Sequence, residues 1–134
     1  MAPEHDVTVP RIVVTAAVIE ENGKFLVTRR PGGVHLEGLW EFPGGKCEEG
    51  ESHLASLERE IAEELDTAIM IEREVYSVVH GYDDRVVELH FFACRLAGEP
   101  RAVLGQEMRW VSREELGTLP FPPADEELIQ ILAR

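Results

Sequence analysis

The stretch Gly45–Thr67, GKCEEGESHLASLEREIAEELDT, decides how the rest of the chain is read. It leaves a Gly-Gly pair and enters a segment with the marks of a short helix. Ser52 is a good N-cap, because its hydroxyl accepts from a backbone N–H that has no partner inside the helix. Leu54, Leu57, Ile61 and Leu65 recur at helical steps, which predicts one buried stripe. Off that stripe stand Glu60, Glu63 and Glu64. On a helix Glu60 neighbours both of the others, and each like-charged pair costs roughly 0.2–0.5 kcal/mol in water. Folding alone gives no reason to accept that cost. A divalent cation does, since hard oxygen donors on one rigid face suit Mg²⁺ or Mn²⁺. Charge by itself leaves a second reading open, an ordinary solvated acidic face.

The spacing separates the two. Gly45, five residues, Glu51, seven residues, Arg59-Glu60-Ile61, one residue and Glu63-Glu64 together resemble the Nudix box of the Nudix hydrolase family. The box continues with a Gly and an aliphatic residue, and here the chain departs, with Asp66 and Thr67 in their places. A Gly at that point closes the helix in a left-handed conformation. Asp is among the few other residues that tolerate it, at a cost of about 1 kcal/mol. A slightly different helix exit is therefore expected, with the cation site upstream intact.

Ahead of the box, Trp40-Glu41-Phe42-Pro43-Gly44-Gly45-Lys46 resembles the MutT branch of that family, the nucleoside triphosphate pyrophosphohydrolases. The resemblance runs over about residues 12–132 and implies an α/β fold, an α/β/α sandwich with a mixed central sheet. It implies Mg²⁺-dependent hydrolysis of a nucleoside triphosphate to the monophosphate and pyrophosphate, with Mn²⁺ as a possible substitute. Metal would be held by Glu60, Glu63 and Glu64, with the backbone carbonyl of Gly45 completing the shell. Arg59 and Glu51 would pair and fix the loop against the helix. Glu60 or Glu64 would take the proton of the attacking water. Many MutT-like chains carry a further Glu where this one has Leu104, and Glu107 is the nearest carboxylate to replace it.

For the substrate, the resemblance points to Phe42 against the base, His35 nearby, and Asp84-Arg85 close to the nucleotide. Arg29 and Arg30 follow a strand and precede a Pro-Gly-Gly turn, a placement that suits an anion-binding lip as well as a merely solubilising one. Asp125 is by default an N-cap for the last helix. In MutT-like chains the residue at this place faces the base edge. An ionised Asp only accepts hydrogen bonds, which favours bases with N–H donors such as cytosine or guanine. Burial that protonated it would add a donor and admit an oxidised purine. Two alternatives stay open: a Nudix pyrophosphatase for ADP-ribose or dinucleoside polyphosphates, and a non-catalytic nucleotide-sensing domain.

The remainder of the chain fits a single domain over residues 1–134, with residues 1–10 a loose arm. Residues 11–19 and 24–28 read as strands of a hairpin about Glu20-Glu21-Asn22-Gly23. Residues 68–73 and 74–79 read as two short strands, residues 85–96 as a longer one after a turn, and residues 106–111 as the last. Ser112-Arg113-Glu114-Glu115 has the form of a capping box, and Leu128, Ile131 and Leu132 mark the apolar side of a final helix. A net charge of -13 argues against nucleic-acid or anionic-membrane partners. A small anionic nucleotide would need a cation and a local basic patch to receive it. Two cysteines, Cys47 and Cys94, make no disulfide framework, and no signal peptide or long apolar span is visible, so a cytoplasmic monomer or homodimer is expected.

Overall fold

The first strand, β1 (Arg11–Glu21), is flanked on both faces by core, and the other elements are arranged about it. The computed structural model describes residues 9–29 and 38–134. Along that chain follow β2 (Lys24–Arg29), β3 (Trp40–Glu41), β4 (Gly44–Lys46), α1 (His53–Leu65) and β5 (Ile69–Gly81). Then come β6 (Val86–Leu96), β7 (Glu107–Ser112), α2 (Arg113–Leu116), a 3-10 turn (Pro123–Asp125) and α3 (Glu126–Leu132).

β1 has a β-branched run without polar alternation, as a strand covered on both sides requires. Ala16 and Val18 face one core, with Phe25, Val27, Phe42, Phe91, Leu116, Leu128 and Ile129. Ala17 and Ile19 face the other, with Leu26, Leu57, Ile61, Leu65, Phe92 and Cys94. Helix α1 thus covers one face, while α2 and α3 cover the other. The expected α/β/α sandwich is observed. Its sheet is mixed: β1 runs parallel to β6 from Arg11↔Val86 to Ile19↔Cys94, and antiparallel to β4 and to the start of β2. The strand order is β3-β2-β1-β6-β5, with β4 added to β1 and β7 to β2. The β1–β2 hairpin turns through Asn22 and Gly23, at φ 53° and 76°, the two positive dihedrals of a type I′ turn.

Helix α1 begins and ends as its sequence predicts. The Ser52 hydroxyl accepts from the Ala55 N–H at 3.1 Å. Asp66 closes the helix in the left-handed region (φ 56°, ψ 41°), donating its N–H to Ala62 O at 3.1 Å. The last carbonyls of α1, which have no partner within the helix, are met by the loop after β6: Arg101 N–H bonds Leu65 O at 2.8 Å, and the Gln106 side chain donates to Glu64 O at 3.0 Å. Leu57, Ile61 and Leu65 are fully buried, each contributing roughly 1.5–3 kcal/mol.

Four expectations need correction. Leu54 is 49% exposed and lies outside the stripe, because the first turn of α1 meets the sheet through polar contacts, among them Ser56 Oγ to Thr15 Oγ1 at 3.4 Å. Residues 68–79 do not form two strands: β5 is continuous, with register shifts between Ile71/Arg73 and Glu74/Tyr76. Such bulges break the alternation that the eye follows in sequence. In α3, Leu128 and Ile129 are buried, while Ile131 is 40% exposed. Pro10 is tied in, accepting from the Val86 N–H at 2.9 Å; most of the expected arm, with Arg30 and His35, lies outside the described residues. No helix among the described residues is long and apolar enough to cross a membrane.

The left-handed Asp66 gives a stability test. Asp66→Gly should stabilise the protein by about 1 kcal/mol, read as a rise in the urea midpoint at unchanged slope. The exposed Asp66–Arg101 pair at 2.8 Å offsets little of this.

Candidate active site

Two glycines let three elements meet at one point. A Cβ on Gly44 would fall 2.0 Å from Thr15 O, inside β1, and a Cβ on Gly45 would fall 2.4 Å from the Glu60 carboxylate. Without side chains, β4 packs against β1 and Glu60 lies directly on the Gly45 backbone. Glu64 converges on the same place. It accepts a hydrogen bond from the Gly44 N–H, and burial, followed by the hydrogen bond and charge of Glu60 and the charge of Glu41, pushes its carboxyl up to about 9. Two carboxyl groups this close do not both ionise readily.

Arg59 organises the rest. Its Nε and Nη2 grip Glu51 at 2.7 and 3.0 Å, a bidentate pair that also holds Lys46 O at 3.0 Å. Its Nη1 reaches Glu60 at 3.0 Å and Glu63 at 3.3 Å. The Arg59 hydrogen bonds, aided by the Glu48 N–H, hold the Glu51 carboxyl down at about 2. The crowding of like charge on α1 is therefore partly met from within the chain. Glu63 is met by Arg59 and is 57% exposed at the edge of the group, beside Glu60 and Glu64, which converge on the Gly44–Gly45 turn.

An all-oxygen donor set of Glu60, Glu64 and the Gly45 backbone, in a cradle that a Cβ would fill, fits a hard divalent cation. Glu107 stands elsewhere, 53% exposed on β7 and held by Arg29 through Nε at 2.7 Å. Arg29 also lies over the Trp40 ring at 5.0 Å, so its guanidinium is engaged by Glu107 and Trp40 and does not line the cavity. Trp40 is buried in the core, as its apolar surroundings predict.

Gly44 and Gly45, against which the glutamates pack, line a cavity of about 500 Å³ whose wall also includes Phe42, Arg85 and Asp125. Phe42 meets Phe91 edge-on at 6.0 Å and Phe121 at 5.4 Å, which fixes it as an aromatic side of the chamber. Asp125 does not cap α3: its side chain makes no cap hydrogen bond and is 4% exposed, on the cavity wall. Burial, then the charge of Glu41, pushes its carboxyl up to about 7. Arg85 lies over Tyr82 at 5.1 Å on the same wall, while Asp84 is 75% exposed beside it. Glu41 and Tyr82 are cavity residues that the sequence reading did not single out. Glu41 stands within the quoted Trp40–Lys46 run, and only the fold shows that it faces Asp125 and Glu64.

The NUDIX domain model matches residues 14–130. The chain belongs to the Nudix family. It is 38% identical over 120 residues to the CTP pyrophosphohydrolase of Escherichia coli (strain K12), covering 89% of each chain. To the 8-oxo-dGTP diphosphatase of the same organism it is 32% identical over 123 residues, covering 91% of this chain and 95% of that one. The solution structure of the E. coli ORF135 protein superposes with a TM-score of 0.82 at 36% identity, over 92% of this chain and 89% of the other. In this Nudix protein the box glutamates, the paired glycines and the cavity thus lie in one connected region.

Gly45→Ala tests the cradle. The added Cβ meets only the far end of Glu60, so the fold should survive with little change in thermal midpoint. Displacing that carboxylate by about 1 Å should lower kcat by about 10²-fold and raise the divalent-ion concentration needed for half-maximal rate.

Proposed function

We propose that a single Nudix domain here hydrolyses nucleoside triphosphates to the monophosphate and pyrophosphate, using Mg²⁺ or Mn²⁺, and that its substrates are cytidine-type triphosphates or 8-oxo-dGTP. The observation that carries this reading is the joining of the Glu60–Glu64–Gly45 group to a chamber with an aromatic wall and a buried acid. Phosphates at the Gly45 lip place a base against Phe42 and Asp125. The names of the E. coli relatives support the same substrate class.

Glu60 and Glu64 would hold the divalent ion, with Glu63 at the rim. When bound, that ion neutralises phosphate charge and acidifies water. A water oxygen attacks phosphorus, the anhydride P–O bond breaks, and pyrophosphate leaves. Glu60 or Glu64 takes the water's proton; Glu107, held by Arg29, is poorly placed for it. Arg59 keeps Glu60 in position by tying α1 to Glu51 and to Lys46 O. Such chemistry depends on positioning and charge stabilisation, which a rigid helix provides.

Base choice follows from Asp125. As a neutral acid it donates and accepts side by side. Cytosine offers the complement at N3 and its amino group, and 8-oxoguanine offers it at O6 and N7–H. Unmodified guanine presents two acceptors at O6 and N7, and is disfavoured on that edge.

A panel of triphosphates with ADP-ribose and a diadenosine polyphosphate, assayed with and without inorganic pyrophosphatase, tests the reaction. Phosphate seen only with the coupling enzyme identifies pyrophosphate as product. Turnover confined to ADP-ribose or the dinucleotide, or binding without turnover, would overturn the proposal.

Asp125 supplies a pH test. A carboxyl held above its ordinary value near 4 contributes stability that is complete below that value and lost as pH rises through about 7. Asp125→Asn should therefore raise the thermal midpoint more at pH 8 than at pH 5. For the preferred triphosphate, wild-type KM should rise about tenfold from pH 6 to pH 8 as the donor is lost. In Asp125→Asn, whose amide donates at either pH, that rise should vanish.

A further inference from the structure

Across the sheet from the cavity, a second group of donors meets at the start of α1. In β6, Phe91 faces the cavity side while Phe92 and Cys94 pack with α1. Strand alternation puts Glu88 and His90 on the α1 side as well. There the His53 ring lies 4.3 Å from the His90 ring, centroid to centroid, and one ligand atom from each of His53, Glu88 and His90 falls within 4.8 Å of the other two.

The partners of these groups orient them. His90 Nε2 stands 2.5 Å from Glu88 Oε2, and His90 Nδ1 stands 2.7 Å from Glu74 Oε2. The other oxygen of Glu88 is held by Arg11, through Nε at 3.0 Å and Nη2 at 2.8 Å. Arg11 thus leaves Oε2 facing the two rings. A carboxylate on the far nitrogen of an imidazole is the arrangement that fixes a metal-binding histidine, and Glu74 occupies that place for His90. His90 and Glu88 are part-buried, 14% and 22% exposed, so an ion can reach them from solvent.

A metal-free clamp, with cationic His90 between two carboxylates, accounts for Glu74 and Glu88. It does not account for His53. A second imidazole stacked on a cation adds nothing to that clamp, but it does add a third donor. We propose that His53, Glu88 and His90 form a transition-metal site, filled by Zn²⁺ or an ion of similar softness, with the fourth position left to solvent. Two imidazole nitrogens and one carboxylate oxygen suit Zn²⁺, Co²⁺ or Ni²⁺ and select against Mg²⁺. The site is separate from the box glutamates, and its occupant pins the first turn of α1 to β6. The ion replaces the proton between His90 Nε2 and Glu88.

The test is calorimetric titration of Zn²⁺ into the metal-stripped full chain with millimolar Mg²⁺ present, supported by visible absorption of Co²⁺. Wild type and a Glu60→Gln, Glu64→Gln double variant should each bind a single Zn²⁺ with equal affinity. His53→Gln and His90→Ala should bind at least about tenfold more weakly, and Glu74→Gln about tenfold more weakly. His53→Gln changes a part-buried position at the start of the helix, so it keeps the test open should His90→Ala not fold. Zn²⁺ should raise the thermal midpoint of wild type and not of His53→Gln. Zn²⁺ binding that persists in both His variants, is lost on Glu60→Gln, Glu64→Gln or on Cys47→Ser, or is absent in wild type up to about a hundred micromolar would overturn the proposal.

Discussion

Among the described residues, Arg59 is the cation on which the glutamate face depends. It touches the loop through Glu51, β4 through Lys46 O, and the helix through Glu60 and Glu63. A guanidinium does this because its fork is planar and permanently charged, so two edges serve different partners. A lysine there would offer one point charge to four groups. The bond to Lys46 O also fixes the distance between β4 and α1, which is the distance between Gly45 and the Glu60 carboxylate. The proposed cation site is thus set by an interaction one step removed from it.

The second constraint is the packing of β1. Because it is covered on both faces, its odd and even residues serve different layers: Ala17 and Ile19 anchor α1, while Ala16 and Val18 back the cavity. The glutamate group sits where β4 crosses the end of this division. Substrate-side and helix-side groups can therefore be close in space while belonging to separate cores. A change in one core reaches the site mainly through β1 and β4, whose backbones are in contact at Gly44.

What was legible in the sequence was local. Ser52 and Asp66 lie at the two ends of one helix, where spacing determines geometry, and the Glu51–Arg59 pair is the one that the family resemblance implies. The box and the Trp40–Lys46 run also carried the family and, through it, the sandwich. Long-range register was hidden. Bulged β5 reads as two strands because the bulges reset the face of each side chain. Leu54 matches the helical period, yet the period does not reveal where the sheet stops. Asp125 satisfies every local rule for an N-cap, and only the docking of the 3-10 turn sends it into the cavity. Glu63 is indistinguishable from Glu60 and Glu64 by spacing, and its exposure separates it. His53, Glu88 and His90 come from a helix start and a strand, with nothing between them in sequence to mark their meeting.

Net charge frames the remaining problem, which is how a chain at -13 receives an anionic nucleotide. Charges beyond a Debye length, about 8 Å at physiological salt, count for little, so the groups lining the cavity decide. Asp125 is held toward its neutral form at about 7, with burial as the first cause and the charge of Glu41 adding to it, and the charge of Glu64 would be met by the divalent ion proposed for it. Arg85 contributes positive charge on the same wall. The bulk of the negative charge is on exposed surface, where water and salt screen it. The local field at the cavity is therefore far less repulsive than the composition implies. The burial that holds Asp125 toward its neutral form also makes it a donor, so a single desolvation effect lowers the repulsion of an anion and supplies the group proposed above to read its base.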